Sequence, residues 1–162
     1  MPPVETDSPD IARILGQLLQ RVSHAERPLL IALAERLAAD RYRAWAGDLD
    51  DPARRSQLLA CAEREEEIAR RVEALFPDAA TIQRDILARN PDLGNVNRSL
   101  FAGRPLAQQF ALQAQGERLG AATWRSFAGH AGETSACDTY LACANLEEEN
   151  AACLEALPGE GG

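Results

Sequence analysis

Lysine is absent from this chain, and all 17 basic residues are arginines. That excludes Schiff-base chemistry and pyridoxal phosphate attachment, which need a lysine amine. It also excludes a P-loop of the G-x-x-x-x-G-K type, and no G-x-G-x-x-G or G-x-S-x-G sequence occurs. Positive charge is the minority sign: 25 acidic residues leave a formal charge of −8. Nucleic acid is therefore not an expected partner, because binding to a phosphate backbone depends on clustered positive charge. The apolar runs fall far short of the roughly 20 residues that span a bilayer, so no membrane association is expected. The opening residues "MPPVETDSPD" have neither the basic leader nor the apolar stretch of a secretory signal, which makes a cytoplasmic location the expectation. No C-x-x-C pair occurs among the four cysteines, so a zinc site built on them is not expected.

What the chain does contain is ordinary globular material, 46% apolar and 26% charged over 162 residues. One domain, residues 1–162, is the expectation, large enough to bury roughly 70% of its unfolded surface.

Two stretches carry the strongest signal. "LLACAEREEEIARRVEAL" at 58–75 and "YLACANLEEENAACLEAL" at 140–157 match at 11 of 18 positions under an offset of 82 residues. Chance would give about two such matches at ordinary residue frequencies. The same offset lays "LIALAERLAADRYRAWAG" at 30–47 on "LQAQGERLGAATWRSFAG" at 112–129 with 9 of 18 matches. Glu35 falls on Glu117 and Arg36 on Arg118, while Tyr42 meets Trp124 and Trp45 meets Phe127. The pattern predicts an internal duplication of one helical hairpin. Two copies of this length do not make a solenoid, which needs shorter and more numerous units.

An amphipathic segment is expected from about Ser8, as N-cap, to Val22. The first hairpin, 28–75, consists of a helix from Pro28 to about Ala46, a stop at Gly47 and "DLDDP", and a helix opened by Pro52 in its first turn. Residues 76–105 are broken by Pro77, Pro91, Gly94, Gly103 and Pro105 around two short apolar segments, "TIQRDILA" and "NVNRSLF". A connection of that length can carry the chain along a bundle, as a short turn cannot. The second hairpin, 106–157, has helices near 106–128 and 136–157, and "PGEGG" is read as a frayed tail. The predicted fold class is all-α, a four-helix bundle of two hairpins and a long crossover.

Helical spacing puts Cys61, Glu65, Ile68 and Val72 on one stripe, and Cys143, Glu147, Asn150 and Leu154 on another. Glu65 and Glu147 are thus expected to face inward, with Glu66 and Glu148 outward. Cys61 and Cys143 are expected to be buried and reduced, as small apolar groups. Arg36 and Arg118 are turned about 100° from their neighbouring glutamates and face elsewhere. Tyr42, Trp45, Trp124 and Phe127 are read as core.

With "EEEI" and "EEEN" in this context, residues 28–157 resemble the ferritin-like superfamily, in particular its rubrerythrin-like members with Glu-Glu-Glu-His segments. The resemblance implies a di-iron carboxylate site built from a Glu on each of two helices and a Glu-x-x-His on each of the others. Carried over residue by residue, the metal ligands would be Glu35, Glu65, Glu117 and Glu147. Both histidines of the pattern are replaced here, by Ile68 and Asn150. Isoleucine offers no donor, whereas the Asn150 carbonyl oxygen suits a hard ion and joins the candidate ligand set. His24 and His130 lie 11 and 13 residues from Glu35 and Glu117, about 16 to 20 Å along a helix, and cannot substitute.

Three readings follow. The chain is a metal-binding carboxylate bundle, holding iron or manganese with at most residual oxidase or peroxidase activity. Alternatively it is a metal-free ferritin-like binding or interaction module. The third reading is a structural oligomer, a homodimer paired through apolar helix surfaces.

Overall fold

A computed structural model describes residues 9–157. The expected Ser8 cap and the "PGEGG" tail lie outside the described residues. Among those residues the chain is all-α, with seven α-helices, one 3-10 turn and no strand. The helices are α1 (Ile11–Leu19), α2 (Arg27–Asp48), α3 (Pro52–Glu73), α4 (Ala79–Arg89), α5 (Leu93–Phe101), α6 (Leu106–His130) and α7 (Thr134–Ala156), with the 3-10 turn at His24–Glu26. None of them is long and apolar enough to cross a membrane.

The helix ends follow from local chemistry. Asp10 caps α1 by accepting the Arg13 backbone N–H at 3.0 Å, so the helix begins later than the apolar pattern alone suggests. Ser23 and Glu26 close a capping box ahead of α2, and Pro28 occupies its first turn. At the other end Arg55 reaches back to the Ala46 and Leu49 carbonyls, at 3.2 Å for Nε and 2.6 Å from Nη2 to Leu49. The Ala46 carbonyl also accepts the Leu49 N–H that ends the helix, at 3.4 Å. Asp51 then caps α3 on the Ala53 N–H at 3.0 Å, with Pro52 in the first turn. The segment between the two long pairs holds α4 and α5 around the two expected apolar stretches.

α2 packs along α3, α6 packs along α7, and α3 meets α7 to join the two pairs. α4 and α5 lie on α2, and α1 touches α6. Two apolar clusters fill the interior. One gathers Tyr42, Trp45, Leu58, Cys61, Phe110 and Leu154; the other gathers Ile31, Ile68, Val72, Trp124, Tyr140 and Cys143. A third, with Leu29, Leu30 and Ile86, seats α4 against α2.

Along each of the four long helices a single buried glutamate separates the residues of the first cluster from those of the second. Glu35 lies between Ala32 and Ala39, Glu65 between Ala62 and Ile68, Glu117 between Ala114 and Ala121, and Glu147 between Ala144 and Leu154. A layer of four carboxyls is thus sandwiched between two dry cores.

Matched positions of the two hairpins also carry matched surface ion pairs. Arg36 binds Glu66 at 2.7 Å and Glu73 at 2.5 Å, and Arg118 binds Glu148 and, at 2.9 Å, Glu155. Arg43 and Arg125 each bind the same middle glutamate, both at 3.1 Å. Arg36 and Arg118 therefore point away from the carboxyl layer, as the helical turn requires.

Candidate carboxylate centre

The four glutamates are among the least exposed residues of the chain, at 7% for Glu35, 0% for Glu65, 1% for Glu117 and 2% for Glu147. Removing a charge from water costs several kcal/mol unless partners replace the solvent, so the partners of each carboxyl decide its state.

Glu35, Glu65 and Glu147 converge. Each offers an oxygen, and those oxygens lie within 4.8 Å of one another, a group able to hold a metal ion. Glu117 stands beside them with partners of its own. The Tyr42 hydroxyl donates to Glu117 Oε1 at 2.8 Å, and Gln113 Nε2 donates to the same oxygen at 2.9 Å. Gln113 is itself oriented by Arg41, whose Nη1 donates to Gln113 Oε1 at 2.6 Å. Asn97 accepts from the other side of that guanidinium, and the Phe101 ring lies 3.8 Å from its centre. Burial lowers the Arg41 guanidinium to about 10.

Asn150 is fully buried next to Glu65. Its Nδ2 donates to Glu65 Oε1 at 2.9 Å and to the Cys61 carbonyl at 3.2 Å, while its Oδ1 accepts from Arg64 at 3.2 Å. The amide thus steadies Glu65, and its oxygen is turned toward Arg64, so Asn150 does not join the convergent group in this orientation. Ile68 packs in the apolar cluster, as a side chain without a donor must.

Three carboxylate oxygens, Glu65 Oε2, Glu117 Oε2 and Glu147 Oε1, are buried and accept from no amide, hydroxyl or guanidinium donor, and neighbouring glutamates can partner them only where a carboxyl holds a proton. Burial is the leading influence on Glu35, Glu65 and Glu147 and pushes all three carboxyls up. Repulsion from Glu117, Glu35 and Glu147 adds to it at Glu65, and from Glu35 and Glu117 at Glu147, placing both well above the ordinary carboxylate range. At Glu35, contacts with Glu65 and Glu147 oppose the rise.

Sequence reasoning did not find Tyr42 as a hydrogen-bond donor, although it placed the ring in the core. Gly120 was also missed. A Cβ built there would lie 2.9 Å from Glu147 Cδ and closer still to Oε2. The only signal was the small residue at the matched position, Ala38.

A cavity adjoins this layer. It has a volume of about 150 Å³, lies beneath α1, and is walled by Ile14, Leu18, Leu100 and Leu119 and floored by Glu35, Glu117 and Glu147.

No protein-family model matches the chain, and neither a curated protein nor a solved structure matches it.

Proposed function

We propose that this chain is a ferritin-like four-helix bundle, made by duplication of one hairpin, whose carboxylate layer binds divalent metal. The observation that carries this reading is the set of buried carboxylate oxygens that accept from no amide, hydroxyl or guanidinium donor, on side chains that converge from different helices. The donor set fits such an ion: oxygen ligands alone suit hard cations, manganese before the softer metals that favour nitrogen or sulfur. Ferrous iron is the second candidate. Glu35, Glu65 and Glu147 would be the ligands, with Glu117 as the adjacent carboxylate held by Tyr42 and Gln113. Asn150 would orient Glu65, a role that outer-shell amides commonly serve at metal sites.

When bound, such an ion supplies Lewis acidity and a site for small oxidants. The chain's own contribution is the burial of the carboxyls, the orientation of Glu65 and Glu117 by named donors, and the cavity beneath α1. Replacing protons on the raised carboxyls is part of binding, so metal uptake releases protons into solution.

The test is a titration with manganous ion followed by electron paramagnetic resonance, in which bound manganese loses the six-line signal of the free ion. Saturable loss in the natural chain, absent in Glu65→Gln/Glu147→Gln, is the expected result. An undiminished free-ion signal at micromolar protein and metal would end this reading in favour of a metal-free module.

A further inference from the structure

The cavity floored by the glutamates has a neighbour that the metal reading does not use. A second cavity, of about 230 Å³, lies between α1, α2, α4 and α5. Leu30, Leu33, Leu37, Leu87, Leu93 and Val96 wall it. The two cavities share Leu15, Leu18, Ile31, Ala34, Asn97 and Leu100, so they abut beneath α1. Together they reach the roughly 300–1,000 Å³ of small-molecule sites, which are mostly apolar with a few polar groups that fix orientation.

The polar groups divide unequally between the two ends. At the leucine-lined end Arg36 and Asp40 are already engaged, Arg36 with Glu66 and Glu73 and Asp40 with Arg43. At the other end stand Glu35, Glu117 and Glu147, all buried. Glu117 Oε2 and Glu147 Oε1 accept from no amide, hydroxyl or guanidinium donor. Gly120 lines this end as well and has no side chain to stand against the Glu147 carboxyl. The cation there, Arg41, is committed to Gln113 and Asn97 and to the face of the Phe101 ring.

We infer that the paired cavities bind a straight-chain aliphatic amine, its ammonium group against Glu117 and Glu147 and its alkyl chain among the leucines. The carboxyl end offers acceptors and negative charge, which select a donor that carries positive charge. The leucine end offers hydrocarbon contact and ion pairs that are already closed, which select a chain without polar groups.

Other head groups fit this floor less well. An alkanoate would bring a like charge to a buried acidic layer, and an alcohol supplies one donor and no charge. A divalent ion suits the same carboxyls but makes no use of the leucines. The second cavity therefore points to an organic cation, and it does so whether or not the layer also takes a metal.

The experiment is a calorimetric titration of the full chain, in chelator, with butylamine, hexylamine and octylamine, and with octanol and octanoate as controls. Chelator keeps the outcome apart from that of the manganese titration, so either reading can fail alone. Affinity should rise about fourfold for each added methylene, the gain expected from moving one methylene out of water. Octylamine should bind about tenfold tighter than octanol, the difference between a charge-assisted and a neutral hydrogen bond, and octanoate should give no heat of binding. Glu117→Gln/Glu147→Gln should bind octylamine about tenfold more weakly. Leu100→Trp, which fills the place where the cavities meet, should remove the gain from butylamine to octylamine. No binding of any amine, an affinity independent of chain length, or octanol or octanoate binding as tightly as octylamine would each overturn the inference, as would full octylamine affinity in a folded Glu117→Gln/Glu147→Gln. The first three are read on the natural chain and decide the matter if a variant fails to fold.

Discussion

Gly120 on α6 faces the carboxyl group of Glu147 on α7 so closely that even a methyl group would collide with it. The helix gives up some stability there, since glycine in a helix interior is about 1 kcal/mol worse than alanine. A methyl group there would push the Glu147 carboxyl out of its place among the convergent glutamates, toward the cavity beneath α1. Gly120→Ala should therefore weaken manganese binding at least tenfold, by displacing one of three convergent ligands. Calorimetric titration checks this, and the helicity of the variant, read by circular dichroism, should be unchanged.

The Tyr42 hydroxyl binds Glu117 across 75 positions of sequence. Tyr42→Phe preserves the ring packing against Trp45, whose centroid lies 5.5 Å away, and removes only the donor. A hydrogen bond contributes about 0.5–1.5 kcal/mol net, so urea unfolding of the variant should show a loss of that order. A loss below the precision of the unfolding curve would mean that Glu117 does not depend on the hydroxyl.

Stability of the metal-free chain should fall as pH rises. Glu65 and Glu147 hold their protons more tightly in the folded chain than in the unfolded one, where the ordinary value is 4.5. Above that pH the unfolded chain binds fewer protons than the folded chain, so unfolding becomes easier with every further rise until the folded carboxyls ionise. Thermal melts in the presence of chelator should shift downward between about pH 5 and pH 8. Saturating manganese should remove most of that slope, because the ion takes over from the protons. A melting temperature that climbs over this range without metal would contradict the burial of uncompensated carboxyls.

Glu65→Gln/Glu147→Gln should separate stability from binding. Replacing mutually repelling buried carboxyls by neutral isosteres removes the cost of ionising them in a buried site. The double variant should thus melt at or above the temperature of the metal-free natural chain at pH 8, yet lose the further rise that manganese gives.

Much of this arrangement could be read from the residues. The inward position of Glu65 and Glu147 follows from a stripe of apolar residues spaced by three and four, and the opening of α3 at Pro52 follows from backbone chemistry, while α2 runs one residue past the expected stop at Gly47, to Asp48. The outward turn of Arg36 and Arg118 needed only the 100° step of a helix. Features that depend on the relative rotation of helices were not legible. The Tyr42–Glu117 bond joins α2 to α6, and Asn150 could be recognised as a polar residue on an inward stripe but not as an amide whose oxygen is claimed by Arg64. Gly120 read as one more small residue, since only the position of Glu147 on a facing helix gives its missing side chain a consequence.

The most direct measurement is elemental analysis of the chain purified without a metal-affinity tag and then equilibrated with manganese or ferrous iron, side by side with Glu65→Gln/Glu147→Gln. The account predicts metal at or above stoichiometry with the natural chain and none above background in the variant. Equal metal content in the two, or no metal in either, would contradict a carboxylate centre built on these glutamates.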